Sequence, residues 1–295
     1  MILRKIVLIL FVMLFSLGFA DGATLKVGTG QTYATIQSAV DAANTGDVIS
    51  VSEGVYGENL VIKKDGISII GMNREKTVID GRKTGTAVKI DQANNVKISG
   101  FTIENSGGSG KEDAGLTVFT GKKNTITNNI FLNNIAGISI YSSSNSNVIS
   151  GNDIRSSANN GIFLFSATEN EIYDNNIRDN KFGIYADSSR TNKIYSNNFI
   201  NNNNQAYDNS GLNSWDDGKS GNYWSDSKGS GAYTILGGSS KDNYPRSSEV
   251  TIKYDNAATP AGQKTALKEE GKSTPGFSGI AVMVLIIAMG ILRKI

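Results

Sequence analysis

Apolar and polar side chains alternate in many short stretches of the chain, as in the run GISIY at residues 137–141. Alternation with a period of two is typical of a β-strand with one buried face. Glycine, asparagine, serine and aspartate separate these stretches, and they favour turns and left-handed backbone conformations. The middle of the chain is therefore predicted to be a succession of short strands joined by tight turns.

These strands belong to a repeat. Similar segments open at Asn124, Asn147, Asn170 and Asn192, so the openings are 23, 23 and 22 residues apart, and a glycine-led strand signal accompanies each segment. Self-similarity at such a period indicates a solenoid. The Leu-x-x-Leu-x-Leu frame of leucine-rich repeats is missing. Short strands with a turn at each corner predict an all-β fold, a right-handed parallel β-helix whose rungs stack about 4.8 Å apart.

One column of the repeat is always asparagine, at Asn129, Asn152, Asn175 and Asn197. Stacked asparagines can pass amide hydrogen bonds from rung to rung and tolerate left-handed turns. The alternative is that they donate hydrogen bonds to a bound sugar. We favour a structural ladder, because identical side chains at one column are what a stacked turn requires.

The region before the repeats predicts a cap for the open end of the core. Apolar residues recur at helical spacing over residues 36–43, and Thr32 or Thr35 can cap the start of this helix. Solenoids need such a terminal cap, and a short amphipathic helix is sufficient.

Two stretches of the sequence resemble a known family. The run at residues 36–62, followed by GISIIG and TVIDG, resembles the opening of the pectin-lyase-like β-helix superfamily and in particular its NosD-type repeat proteins. The run NSWDDGKSGNYWSD at residues 213–226, with DNYP at residues 242–245, is similar to the closing segment of archaeal surface members of that group. The resemblance covers about residues 24–246. It implies a β-helix with a carbohydrate-binding or copper-accessory role.

Cofactors are not predicted, although calcium is left open. The resemblance implies an acidic loop between the two closing motifs, but residues 227–241 of this chain contain no aspartate or glutamate.

The N-terminus predicts export. Arg4 and Lys5 precede an apolar run at residues 6–15, and small residues follow near Ala20. This order is typical of a secretory signal peptide over residues 1–20. The protein is therefore expected to act outside the cell.

The C-terminus predicts attachment to the cell surface. Pro275, Gly276 and Phe277 open a 16-residue apolar run, residues 277–292, that is followed by two basic residues. As a helix this run would span about 24 Å, less than the bilayer core of about 30 Å. The order resembles the sorting signal of archaeal surface proteins, which implies cleavage by an archaeosortase-type enzyme and a lipid anchor. An unprocessed membrane anchor is the alternative. The predicted organisation is a signal peptide (1–20), a β-helix domain (21–245), a polar tether (246–274) and a sorting signal (275–295).

Composition limits the chemistry. The chain has no histidine and no cysteine, which removes Ser-His-Asp and Cys-His catalysis and disfavours a copper site. No metal site is predicted. The formal net charge is +2, from 29 basic and 27 acidic residues, and no basic patch is interleaved with aromatics. Nucleic-acid binding is therefore not predicted.

Carboxylates are the remaining catalytic candidates. Asp174, Asp216 and Asp217 are weak candidates for a general acid and base, as in a polysaccharide lyase or hydrolase of the superfamily. Solvated turn charges are the simpler interpretation, and we expect a protein without catalytic activity.

Aromatic side chains predict a binding surface. Tyr141, Tyr173, Tyr185 and Tyr195 recur on neighbouring rungs and could form one aromatic-bearing face that stacks sugar rings. Side-chain stacks that only stabilise the sheet are an equal alternative. The sequence thus predicts a structural or adhesive surface protein, whose partners are envelope polysaccharide or surface-layer proteins.

Overall fold

A computed structural model describes residues 22–108, 113–227 and 230–254. The structural statements below concern these residues. The predicted signal peptide, most of the predicted tether and the sorting signal with Pro275, Gly276 and Phe277 lie outside them.

The chain winds into a parallel β-helix of about nine turns, which confirms the predicted fold class. Each complete turn contributes one short strand to each of three parallel sheets, which we number in the order in which the chain meets them. The first sheet contains β1 (Thr24–Val27), β2 (Val48–Val51), β5 (Ser68–Gly71), β8 (Lys97–Ser99), β11 (Thr125–Thr127), β14 (Val148–Ser150), β17 (Glu171–Tyr173) and β20 (Lys193–Tyr195). The second sheet contains β3 (Gly54–Tyr56), β6 (Thr77–Asp80), β9 (Thr102–Glu104), β12 (Ile130–Leu132), β15 (Asp153–Arg155), β18 (Asn176–Arg178), β21 (Asn198–Ile200) and β23 (Tyr223–Trp224).

The third sheet has longer strands in the repeat region. It contains β4 (Leu60–Ile62), β7 (Val88–Asp91), β10 (Ala114–Phe119), β13 (Ala136–Tyr141), β16 (Asn160–Phe165), β19 (Phe182–Asp187) and β22 (Asn204–Asp208). A separate antiparallel pair, β24 (Tyr233–Thr234) and β25 (Lys241–Asp242), follows the last turn.

The core is built from aligned aliphatic columns. In the first sheet Ile126, Ile149, Ile172 and Ile194 are register partners on successive rungs, and all four are fully buried. Each such residue adds about 1.5–3 kcal/mol of apolar burial relative to an exposed position. The alternation seen in the sequence therefore sorts side chains into a dry interior and an outer surface.

A glycine at the second position of β10, β13, β16 and β19 allows neighbouring rungs to approach closely. A Cβ on Gly137 would lie 2.6 Å from the carbonyl oxygen of Gly161, and a Cβ on Gly161 would lie 2.6 Å from that of Gly183. Any larger residue would collide with the backbone of the next rung, so packing and not turn geometry selects glycine here.

The asparagine column forms a buried ladder at the corner between the first and second sheets. Asn129, Asn152, Asn175 and Asn197 are fully buried. The Nδ2 of each of the first three donates to the Oδ1 of the next asparagine in the column, at 2.9–3.2 Å. These amides are thus used within the solenoid and do not face a ligand.

A short helix, α1 (Ile36–Ala42), covers the N-terminal end of the core. The Thr35 side chain accepts from the backbone N–H of Ser38, as an N-cap residue does. The carboxylate of Glu58, one turn later in the chain, accepts from the N–H groups of Ile36 and Gln37, both at 2.9 Å. Two further unpaired donors of the helix start are thereby satisfied.

Aromatic rings close the C-terminal end. Trp215 and Trp224 are buried, and the ring of Trp224 lies between those of Phe199 and Tyr233, with centroids 4.3 Å and 4.1 Å away. Each indole N–H donates to a buried carboxylate, from Trp215 to Asp208 and from Trp224 to Asp242 (3.3 and 2.9 Å).

The described chain continues past the predicted domain boundary at residue 245. Residues 246–254, which we call the C-terminal strap, run back along the outer face of the second sheet. The N–H of Val250 donates to Oδ1 of Asn198 (2.7 Å), and the hydroxyl of Tyr254 accepts from Nδ2 of Asn176 (2.6 Å). The beginning of the predicted tether is therefore packed against the β-helix.

Candidate binding groove on the third sheet

The outer face of the third sheet carries an aromatic stripe. Ser139, Phe163, Tyr185 and Tyr207 are register partners on β13, β16, β19 and β22. The side chain in this column therefore changes from small to bulky between β13 and β16. That change creates a step on the surface.

A groove of about 320 Å³ lies at this step. Its floor comes from β13, where Ala136 and Ser139 are small, and its wall comes from aromatic residues of β16 and β19. The groove is lined by Ala136, Ser139, Tyr141, Asn159, Asn160, Phe163, Lys181, Phe182 and Tyr185. The surface is thus mainly apolar, with an ammonium group and two amides at its edge.

The rings along the stripe are arranged in two ways. Tyr185 and Tyr207 stack face to face, with centroids 4.5 Å apart and an interplanar angle of 15°. Around the groove the rings are instead nearly perpendicular, at 83° between Tyr141 and Phe163 and at 87° between Phe182 and Tyr185. A perpendicular pair leaves part of a ring face uncovered by its partner. The groove is therefore where the stripe can offer ring faces to a ligand.

Two hydroxyl groups beneath the stripe lack partners. Ser139 and Thr117 are neighbours in register on β13 and β10, and both are buried. Neither Oγ of Ser139 nor Oγ1 of Thr117 has a hydrogen-bond partner among the described residues. A buried hydroxyl without a partner costs about 1–3 kcal/mol.

Tyr173 and Tyr195 lie elsewhere, so the expectation of one aromatic-bearing face is wrong. They belong to β17 and β20 of the first sheet, whereas Tyr141 and Tyr185 belong to the third. Their rings stack on each other with centroids 5.2 Å apart and planes 13° apart. Burial, followed by nearby acidic residues, raises the pKa of Tyr195 to about 12. This pair has the geometry of a stabilising stack along a sheet.

The sequence does not mark Phe182 as a groove residue, because Phe182 precedes the glycine of its strand, where no periodic signal is present. Phe163 is one of several aromatics that recur on neighbouring rungs, and the sequence alone does not single it out. Register across β13, β16 and β19 brings them together, and the repeat alone does not specify which side chains are bulky on each rung.

Two of the aspartate candidates are engaged by backbone amides. Asp216 accepts from the N–H of Gly218 (2.9 Å) and from both the backbone N–H and Nδ2 of Asn243 (3.0 Å each). Asp217 accepts from the N–H groups of Ser220 and Lys219, and these bonds lower its pKa. Both carboxylates therefore hold turns of the C-terminal cap.

Asp174 has a different environment. It occupies a left-handed turn position (φ 51°) after β17 and lies, with Tyr173, in a cleft of about 300 Å³ whose other side is formed by residues 251–253 of the strap. Burial raises the pKa of its carboxyl, and the nearby charge of Arg246 opposes that effect.

Comparison with known proteins identifies the family. The model of the NosD family, described as periplasmic copper-binding protein, matches residues 29–229. The chain belongs to the NosD family. The family description also supports a location outside the cytoplasmic membrane.

Several characterised proteins are similar to parts of this NosD-family chain. A probable pectinesterase/pectinesterase inhibitor 17 of Arabidopsis thaliana is 34% identical over 104 residues, which are 32% of this chain and 20% of that protein. The match thus spans a fifth of the curated relative. The pectin methylesterase from carrot superposes with a TM-score of 0.47 at 17% identity, over 63% of this chain and 65% of the other. A pectin methylesterase from Aspergillus niger superposes with a TM-score of 0.46 at 17% identity, over 88% of this chain and 93% of the other. The periplasmic alginate epimerase AlgG superposes with a TM-score of 0.43 at 15% identity, over 62% of this chain and 41% of the other.

The residues present do not fit the copper of the family description. The chain has neither histidine nor cysteine, and Met72, the methionine within the described ranges, is 52% exposed. No group of three or more acidic residues, histidines or cysteines within residues 22–108, 113–227 and 230–254 is arranged to hold a metal ion. In the same ranges, no helix has the length and apolar character needed to cross a membrane.

Proposed function

We propose that this protein binds an extended polysaccharide through the groove on its third sheet, as an exported structural or adhesive component of the cell envelope. The observation that carries the proposal is the step between β13 and β16, where Phe163, Phe182 and Tyr185 form a wall above the small residues Ala136 and Ser139. It is an aromatic groove built on a rigid sheet.

The groove suits the chemistry of a sugar chain. Binding sites for small organic groups are mostly apolar concavities with a few polar groups that fix orientation. Ring faces and edges pack against the apolar C–H face of a pyranose, while the amides of Asn159 and Asn160 and the ammonium of Lys181 can bond its hydroxyls. Because the rungs repeat along the solenoid, a polymer can lie across several of them.

The cellular setting is part of the same proposal. The signal-peptide pattern at residues 1–20 and the Pro275-Gly276-Phe277 motif support export and attachment by a membrane or lipid anchor after archaeosortase-type processing. A domain held at the surface would meet envelope polysaccharide or surface-layer proteins first, so these are the partners we propose.

Binding of purified protein to a panel of neutral and acidic polysaccharides tests the proposal. We expect Phe163→Ala to weaken binding at least tenfold, because it removes the central wall of the groove, and to leave the fold intact. Tyr173→Ala is the matched control, since it removes an aromatic ring from the first sheet. Equal losses for both variants, or no loss for Phe163→Ala, would contradict the assignment.

The alternative function is that of a polysaccharide lyase or hydrolase. One observation favours it: the raised pKa of Asp174, beside Tyr173 in the cleft beneath the strap, is a property of general acids. Release of unsaturated or reducing-end products from uronate polymers, abolished by Asp174→Asn, would establish this activity in place of simple binding. Copper delivery, the remaining family role, would require stoichiometric copper on the purified protein.

A further inference from the structure

The strap covers part of the second sheet through a small number of side-chain contacts. Asn198 pairs with the backbone of Val250 in both directions, through Oδ1 (2.7 Å) and Nδ2 (2.9 Å). Nδ2 of Asn198 also donates to Oδ1 of Asn176, whose own Nδ2 donates to the hydroxyl of Tyr254 (both 2.6 Å). The strap is thus fastened at two rungs, and its other side faces solvent.

Beneath the end of the strap lies Arg74, a buried arginine with unused donors. Arg74 is only 6% exposed. The ring of Tyr254 covers its guanidinium, with Cζ 3.7 Å from the ring centroid. Neither Nε nor Nη1 has a hydrogen-bond partner among the described residues. A buried charged donor without an acceptor is costly, and a ring face satisfies the charge but not the N–H groups.

Two more arginines and one aspartate lie on the same sheet. Arg178 holds Asp153 in a bidentate pair, Nε to Oδ1 and Nη2 to Oδ2, both at 3.0 Å. The Nε of Arg155 lies 3.2 Å from Oδ2 of Asp153 but is not aligned for a hydrogen bond. The hydroxyl of Tyr254 accepts from Nδ2 of Asn176, which is the register partner of Asp153 on the neighbouring strand, so this cluster lies beside the guanidinium that the Tyr254 ring covers.

The cluster therefore has more donors than acceptors. Arg155 and Arg178 share the carboxylate of Asp153, and Asp179 contacts Arg178 (3.5 Å), whereas no salt bridge joins Arg74 to a carboxylate among the described residues. Both oxygens of Asp153 accept a hydrogen bond from Arg178. Arg74 and Arg155 therefore have N–H donors without an acceptor. A carboxylate or a sulfate presents two acceptor oxygens side by side, and this spacing matches the paired N–H groups of a guanidinium.

We propose that Arg74, together with Arg155 and Arg178, forms a binding site for an oxyanion, the carboxylate or sulfate of an acidic glycan, and that Tyr254 of the strap covers this site until the ligand displaces it. The site is on the second sheet and is independent of the groove on the third. The ligand binds only when the strap is open. The apparent association constant is therefore the intrinsic constant multiplied by the fraction of molecules in which the strap is open.

The test uses the full chain at low ionic strength, where surface charges are least screened. Calorimetric titration compares a galacturonate hexamer with its fully methyl-esterified form, and inorganic sulfate tests whether a free anion is sufficient. All titrations are carried out in the Phe163→Ala background, which disables the third-sheet groove and separates this proposal from the proposed function. Hydrogen exchange at the N–H of Val250 reports opening of the strap.

We expect the acidic hexamer to bind at least tenfold more tightly than the ester and to accelerate exchange at Val250. Arg74→Gln should weaken binding at least tenfold, and Tyr254→Ala should tighten it at least threefold by removing the cover. The control Arg190→Gln, an exposed arginine away from the strap, should have no effect. Sulfate competing with the hexamer would assign the site to the anion alone, which the proposal includes.

Several results would overturn the proposal. These are equal binding of the ester, unchanged affinity in Arg74→Gln, weaker binding in Tyr254→Ala, or ligand binding without faster exchange at Val250. If Arg74→Gln does not fold, the affinity of Tyr254→Ala and the exchange rate at Val250 test the proposal, since Tyr254 belongs to the strap and not to the core of the β-helix.

Discussion

Asn175 uses all of its side-chain hydrogen-bonding groups inside the solenoid. Its Oδ1 accepts from the backbone N–H and the Nδ2 of Asn152, both at 3.0 Å. Its Nδ2 lies 2.9 Å from the carbonyl oxygens of Ile149 and Tyr173 and from Oδ1 of Asn197. One residue thus satisfies polar groups on three rungs, which explains why a fully buried position is always an amide and never an apolar side chain.

Replacement of Asn175 by leucine should therefore be strongly destabilising. It leaves buried donors and acceptors on both neighbouring rungs unpaired, each costing about 1–3 kcal/mol, so we expect the free energy of unfolding to fall by about 3 kcal/mol or more. Chemical denaturation measures this change. Asn203→Leu, at an exposed asparagine, is the control and should change stability by less than about 0.5 kcal/mol. Equal effects at the two positions would show that the ladder contributes nothing specific.

At the scale of elements, the C-terminal cap depends on buried carboxylates as well as on aromatic packing. Asp208, at the end of β22, is fully buried and accepts from Ser240 Oγ (2.7 Å), from Ser210 Oγ (2.8 Å) and from the indole of Trp215. Burial acts to raise its pKa, but the hydrogen bonds from Ser240, Ser210, Asn213 and Trp215 together lower it below the usual 3.8. Its ionised form is thus stabilised by folding.

This direction predicts how the stability of the cap depends on pH. A carboxyl whose pKa is lower in the folded state contributes stability above its unfolded pKa, and that contribution is lost as the pH falls through the folded value. We expect Asp208→Asn to reduce the free energy of unfolding at pH 7. The difference from the unsubstituted protein should begin to shrink below about pH 4, the unfolded pKa, and should vanish once the pH lies below the lower folded pKa, where the side chain is neutral in both proteins. Denaturation curves at several pH values measure it, and a difference that stays constant down to pH 2 would contradict the assignment.

An element could be predicted from the sequence where it is determined by neighbouring residues or by a pattern that recurs in every repeat. The strands, their aliphatic columns and the Thr35 cap of α1 follow from alternation, period and N-cap chemistry. The Glu58 carboxylate on α1, the indole partners Asp208 and Asp242, and the strap arise from contacts between distant residues. The repeat period assigns a residue to a column but not to one of three sheet faces, which is why Tyr173 and Tyr185 were placed on one surface.

At the scale of the whole β-helix domain, the three sheets present different chemistry along parallel faces. The first carries the closed stack of Tyr173 and Tyr195, the second carries arginines beneath the strap, and the third carries the open aromatic groove around Phe163. One regular core thus supports three different surfaces, because the outward-facing residues of each strand do not pack in the core and can vary from sheet to sheet. We propose that polysaccharide binds to the third face.

Hydroxyl-radical footprinting with and without a bound polysaccharide tests that placement most directly, because radicals oxidise exposed aromatic rings and a bound chain protects those it covers. We predict at least threefold protection of Phe163 and Phe182 by a polysaccharide that binds, with unchanged oxidation of Tyr173 and Tyr195. Protection of the first-sheet tyrosines with no protection of Phe163 would contradict binding at the third sheet.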